Sequence, residues 1–352
     1  MPVPETLRAL LTSPGPSGYE TAPAGVWREA AGSFASEVTG DTLGSSVARV
    51  PGTGDGPRLA VVGHIDEIGL IVTHVSDEGF LHFVGVGGWD AQILVGQRVD
   101  VVTRAGPIPG LVGKKPIHLL KEEERKQVAE IKDLHIDVGA RDGDQARELV
   151  RVGDVAVIAG EPVEMPNDRL SSRSLDNRLG AYVALEAARL VAEAGGAAGE
   201  VAAVAPVQEE ITFGGARTSM FALEPDVAVV VDVTHATDAP GIDPKEIGKH
   251  ELGSGPVVER GSIIAPAVFE LLHDTATAEG IPFTVAASAR HTGTDADAVH
   301  ISRAGVPTGV VSIPLRYMHS PVELVALADV EAAARLVAAF ARRLDASTSF
   351  QR

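Results

Sequence analysis

Four apolar runs in this chain end at residues that bind protons and cations, and that repeated ending narrows the folds open to it. Leu59–Val62 leads into GHIDEIG, Val201–Val207 into QEE, Val227–Val231 into Asp232 of VDVTHA, and Val306–Ile313 towards His319 of YMHSPVE. Each run has the length of a strand, and an unbroken apolar composition is that of a strand buried on both faces. In open α/β sheets such strands present their chemistry at their carboxyl ends. Helical patterns lie between the runs. Leu179–Glu193 is rich in Ala, Leu and Glu and is stopped by Gly195-Gly196. Ala267–Glu279 and Val330–Leu344 are amphipathic, the latter closing on Arg342-Arg343 as the helix dipole prefers. The expectation is an α/β fold, a doubly wound, mainly parallel sheet flanked by helices.

The texture changes between about residues 70 and 162. LIVTHV, FLHFVGV and QRVDVVT alternate or carry branched residues, and Gly79, Gly87-Gly88, Gly96 and Gly106-Pro107 separate them. This predicts a small antiparallel β-barrel or sandwich. The charged KEEERKQVAEIK mixes acids with bases and suits a solvated connection. At 352 residues the chain exceeds what one core usually holds. The predicted organisation is a discontinuous domain, residues 1–69 and 163–352, interrupted by an inserted β domain, residues 70–162. Ahead of the first run, residues 2 to 34 read as two short helices around Pro14–Gly18, and Glu37–Val50 as paired strands.

Charge and cysteine content exclude some functions. A formal charge of −18 repels nucleic acid and anionic membrane. No apolar stretch approaches the length of a membrane span, and MPVPETLRALL lacks the layout of a signal peptide, which together favour the cytoplasm. With no cysteine, a metal must be held by His, Asp and Glu.

Those residue types stand where the apolar runs stop. His64 and Asp66 lie two apart and so share one side of an extended chain. Asp176, in SLDNRLG, stands where the long helix begins, either as a cap or as a ligand. Glu209 and Glu210 are adjacent carboxylates directly after a buried strand, a pair that repels unless a cation lies beside it. Two such groups also suit two tasks, one binding metal and one moving a proton. His64, Asp176, Glu210, Asp232 and His319 form a set of two imidazoles and three carboxylates. Divalent ions such as Zn²⁺, Co²⁺ and Mn²⁺ accept this mixture. Five ligands exceed one open catalytic site, whereas with Asp176 bridging they divide between two ions, His64 with Asp232 and Glu210 with His319.

Taken together, GHIDEIG, SLDNRLG, QEE, VDVTHA and YMHSPVE, with PSGYE before them and GGWDAQILVGQRV and GLVGKKPIHLL inside the insertion, resemble the tetrahedral aminopeptidases, the glutamyl/leucyl family of cocatalytic metallopeptidases. The resemblance implies metal ligands at His64, Asp176, Glu210, Asp232 and His319, with Asp176 bridging two divalent ions per subunit. It implies Glu209 as the general acid/base and Asp66 as the carboxylate orienting His64. It also places Thr294 and Asp295 near the substrate, where the residues themselves read equally as a turn and helix cap. The inserted domain would mediate assembly of dimers into a twelve-subunit tetrahedron. The expected activity is removal of the N-terminal residue from short peptides by a metal-activated water, with Glu209 as its base. A related dinuclear deacylase or carboxypeptidase, or a non-catalytic metal-stabilised scaffold, are the alternatives.

Overall fold

The computed structural model describes residues 2–350. In chain order its strands are β1 (Glu37–Gly40), β2 (Ser46–Val50), β3 (Leu59–Val62), β4 (Gly69–Val75), β5 (Phe80–Val86), β6 (Arg98–Thr103), β7 (Gly106–Gly113), β8 (His135–Asp137) and β9 (Val155–Ile158). They continue as β10 (Val163–Met165), β11 (Arg169–Ser172), β12 (Val201–Ala205), β13 (Val227–His235), β14 (Val257–Gly261), β15 (Thr284–Ser288), β16 (Thr308–Arg316) and β17 (Glu323–Ala326).

One sheet runs in the order β1-β2-β12-β3-β13-β16-β17-β11-β10, with β14 joined to β16 and β15 to β14. Its middle, β12-β3-β13-β16, is parallel, as the apolar runs predict. The flanks β1-β2 and β17-β11-β10 are antiparallel. Those flanking strands are short and partly polar, and only the β1-β2 pair carries a readable alternation. Residues of the four central strands are almost all buried, which accounts for their unbroken apolar composition.

Helices cover the sheet. The long helix Leu175–Glu193 packs on β12, β13 and β3, and the C-terminal helix Leu327–Arg343 packs beside it. The first two helices, Glu5–Thr12 and Thr21–Ala31, place Leu7, Leu10, Leu11 and Trp27 fully inside this core. Trp27 meets the hydrogen-bond requirement of its buried indole by donating to the Ala181 carbonyl at 2.9 Å. Strand and helix approach closely between Gly63, just past β3, and Gly180 on the long helix. A Cβ at Gly63 would lie 2.2 Å from the Gly180 carbonyl carbon, so neither surface has room for a side chain.

The segment between β3 and β10 forms a closed antiparallel barrel, β4-β5-β8-β7-β6-β9, with its own apolar core around Leu81, Val99, Val101 and Ile136. Of the two forms open to the sequence, barrel and sandwich, closure leaves no free strand edge. KEEERKQVAEIK is largely exposed and contains short 3-10 turns.

Candidate metal centre and active site

The functional side chains converge at the carboxyl ends of the parallel strands. Past Val62 the chain keeps the ladder with the neighbouring segment, Gly63 N–H donating to Val204 and Ile65 N–H to Pro206, so residues 63–66 stay extended. His64 and Asp66 therefore project to one side, with His64 Nδ1 3.4 Å from Asp66 Oδ1. Glu67 turns the other way. It accepts from Gly15 N–H and is held between Arg173 and Arg178, which ties the PSGYE turn to this strand end.

Asp176 is freed from capping by its neighbour. Asn177 Oδ1 accepts from Gly180 N–H at 2.8 Å, the bond an N-cap makes, and its amide donates to the Val231 carbonyl. The Asp176 carboxylate instead points into the cluster, Oδ1 3.4 Å from His64 Nε2 and Oδ2 3.4 Å from His319 Nε2. Asp232 does not end its strand as expected, since β13 continues to His235. It reaches the site because β3 pairs with β13 only as far as Val230, leaving that side of Asp232 open. Its Oδ1 is 3.9 Å from His64 Nε2. Glu210 Oε1 is 3.5 Å from His319 Nε2, and Glu209 Oε2 is 3.7 Å from His64 Nε2.

These separations exceed hydrogen bonds and match another geometry. Two donors each about 2.05 Å from a tetrahedral ion lie about 3.3 Å apart. Ligand atoms of His64, Asp176 and Glu210 fall within 4.8 Å of one another, and so do those of His64, Glu209 and Asp232. Both groups could hold a metal ion. Proximity alone thus draws both Glu209 and Glu210 to the cluster and does not separate their roles. Glu210 Oε1 is buried without a hydrogen-bond partner, as a donor awaiting an ion would be, while His64 Nδ1 faces Asp66 and leaves Nε2 to the cluster.

The electrostatics agree. Burial and the neighbouring acids push Glu209 up to about 10, against the pull of His64. Burial likewise raises Glu210 and drives Asp232 well up. Asp176 goes down in spite of burial, because both imidazoles face it, and His319 rises to about 11 between Asp176 and Glu210. Carboxyls forced in opposite directions within one buried cluster signal more negative charge than two imidazoles neutralise. Divalent cations would supply the balance.

Two further carboxylates hold the cluster's backbone. Asp66 accepts from Glu209 N–H at 3.0 Å, Glu210 N–H at 3.2 Å and the Ser17 hydroxyl at 2.5 Å. Glu323, buried on β17, accepts from His319 N–H at 2.9 Å and Asp176 N–H at 3.1 Å. Sequence reasoning did not single out Glu323, although it closes the YMHSPVE motif. It also missed the barrel's contribution. Gly87 and Gly88 lie against Glu210 and His319, where a Cβ on Gly88 would stand 3.3 Å from the imidazole.

A cavity of about 290 Å³ opens from the cluster, walled by Val233–His235, Glu259, Thr292–Thr294 and Met318. Thr294 borders it, bonded through its hydroxyl to Thr292 and to the Ala296 N–H. Asp295 does not line the cavity. It is buried with both oxygens unpartnered, and burial pushes it up to about 7.

The model of the family described as M42 glutamyl aminopeptidase matches residues 44–336. A lysyl aminopeptidase of Pyrococcus furiosus is 36% identical over 346 residues, covering 97% of each chain. Among solved structures, a TET aminopeptidase from a marine-sediment Thaumarchaeota archaeon superposes with a TM-score of 0.92 at 38% identity, covering 97% of this chain and 96% of its own. The Pyrococcus horikoshii TET1 peptidase, which can assemble into a tetrahedron or a large octahedral shell, gives 0.85 at 32% identity, covering 97% and 99%.

Proposed function

The chain belongs to the M42 glutamyl aminopeptidase family and is a hydrolase of peptide bonds, and from that premise we propose that it removes the N-terminal residue of short peptides using two divalent cations and Glu209. In this reading His64, Asp176, Glu210, Asp232 and His319 would hold the ions, Asp176 serving both. The observation that carries it is Asp176 itself, whose two oxygens each face a different imidazole at 3.4 Å. Zn²⁺ is the ion that best suits the donor set, and Co²⁺ or Mn²⁺ can take the same ligands. Bound there, the ions would polarise the peptide carbonyl and acidify water.

The chain's own groups do the rest. Glu209 sits beside the proposed ligands without being needed to complete either set, and its buried carboxyl has a raised proton affinity. It takes a proton from the attacking water and delivers it to the departing amine. Asp66 orients His64 and, by binding the N–H groups of residues 209 and 210, aims both glutamates. The surrounding carboxylates favour an unblocked, positively charged amino end. Thr294 meets substrate at the cavity wall, and Asp295 stands behind it. The barrel, residues 70–162, serves assembly into a dodecamer, a proposal supported by its exposed Ile117, Leu119 and Val128. Among the described residues no helix is long and apolar enough to cross a membrane.

Glu209→Gln should retain its metal while turnover falls about a hundredfold or more. Hydrolysis of a free aminoacyl anilide and of its acetylated form should differ sharply. A fully active Glu209→Gln enzyme would remove this residue from the chemistry.

A further inference from the structure

The cavity holds one carboxylate that the proposed chemistry does not use. Glu259 projects from β14 into the cavity wall and is only 9% exposed. Its Oε1 accepts from the Ser312 hydroxyl at 3.2 Å, and its Oε2 has no hydrogen-bond partner among the described residues. No lysine or arginine lines the cavity, and the charged group that acts on Glu259 is another acid, Asp297. Burial of an acid without a cation is costly, and it pushes Glu259 up to about 7. A structural role would be better filled by an apolar side chain or by a glutamate with a partner.

The sheet register sets the distance to the metal cluster. Ser312 on β16 stands opposite Asp232 on β13 and opposite Val257 on β14. Val257 is therefore two strand spacings from Asp232, about 10 Å, and Glu259, two residues or about 7 Å further along β14, is about 12 Å from it between Cα atoms, a gap that the Glu259 side chain itself shortens. An extended lysine measures about 6 Å from Cα to Nζ, and an arginine somewhat more. With the scissile bond at the metal cluster and the side chain directed along the sheet, a basic N-terminal residue reaches Glu259. A leucine stops short, and a glutamate would bring a second carboxylate against the first.

We propose that Glu259 makes this enzyme select peptides with a cationic N-terminal residue, lysine or arginine, by pairing its free oxygen with the side-chain cation. The proposal rests on the aminopeptidase reading and narrows it to one substrate class. It departs from the acidic preference in the family's description, agrees with the lysine named for the Pyrococcus furiosus relative, and assigns the selection to one side chain.

The test is kcat/KM of the metal-loaded full-length enzyme on the p-nitroanilides of lysine, arginine, leucine and glutamate. Lysine and arginine should exceed glutamate by about 100-fold or more, the scale of a charge-assisted hydrogen bond gained against a like charge opposed. In Glu259→Gln the ratio of lysine to leucine should fall about 10- to 100-fold. In Glu259→Lys the ratio of glutamate to lysine should rise above that of the wild type. Ratios are read, so a general loss of activity cancels. Leucine cleavage with an unchanged lysine-to-leucine ratio in Glu259→Gln overturns the proposal and leaves the peptidase reading intact. Failure of the wild type to cleave any of the four anilides overturns both. Should neither variant fold, the wild-type panel still decides, because a preference for glutamate over lysine is incompatible with the proposal.

Discussion

Glu323→Gln isolates the contribution of backbone anchoring to metal binding. The wild-type carboxylate is buried and accepts from two N–H groups, those of Asp176, proposed to serve both ions, and His319, proposed to hold one. The amide oxygen of glutamine can serve one of them, while its NH₂ confronts the other. One hydrogen bond to a charged acceptor is lost and one buried N–H is left unpaired, at about 1.5–3 kcal/mol. Metal affinity should then weaken by a factor of roughly 10 to 150. The metal-free protein should lose less, because without cations burial, and after it the charge on Asp176, disfavours an ionised Glu323. Competition of Zn²⁺ between the protein and a chromophoric chelator measures the affinity, and thermal unfolding with and without metal measures the rest. Glu323→Ala should go further, since both N–H groups lose their acceptor. Wild-type metal affinity in Glu323→Gln, or equal destabilisation of the apo and metal-loaded forms, would refute the anchoring argument.

Three other outcomes follow from the same geometry. Gly63→Ala places a Cβ against the Gly180 backbone at 2.2 Å, so it should destabilise by about 1–3 kcal/mol or more and displace His64 from Asp176, read as a lower unfolding temperature together with weaker metal binding; unaltered values would show that the helix and strand can separate freely. Glu20, buried and bonded to Gly18 and Gln208 N–H, is pushed up to about 7 chiefly by burial, from an ordinary 4.5. Between those pH values the folded chain holds the proton that the unfolded chain has released, so the stability this group contributes is complete below about pH 4.5 and lost as pH rises through about 7. Glu20→Gln keeps an acceptor and removes the titration, and wild type should lose on the order of 3 kcal/mol relative to it across that range in denaturant unfolding; a constant difference would sink the assignment. Finally, a chelator should abolish hydrolysis and lower the unfolding temperature, and Zn²⁺, Co²⁺ or Mn²⁺ should restore both; activity that survives exhaustive chelation would exclude a metal-dependent reaction.

Much of this protein was legible in one dimension because its constraints are local. Buried parallel strands must be apolar throughout, so β3, β12, β13 and β16 announced themselves, and the polar residues that follow them were conspicuous by contrast. Adjacent residues such as Glu209 and Glu210, or the two-residue spacing of His64 and Asp66, likewise need no fold to be noticed. The antiparallel flanks left weaker marks, since β10 is three exposed residues and its pairing with β11 depends on the tertiary context.

What the amino-acid order could not determine was convergence. Asp176 read either as cap or as ligand until the helix packed against β13 and Asn177 took the capping bond. Glu323 and Glu259 carry no local signature, because each acquires its task from partners far along the chain: the backbone of residue 176 for one, Ser312 and the cavity wall for the other. Strand composition reports burial, which each residue experiences singly. A site depends on distances between residues remote in sequence, and only the closed sheet, with its register and its glycine contact to the long helix, sets those.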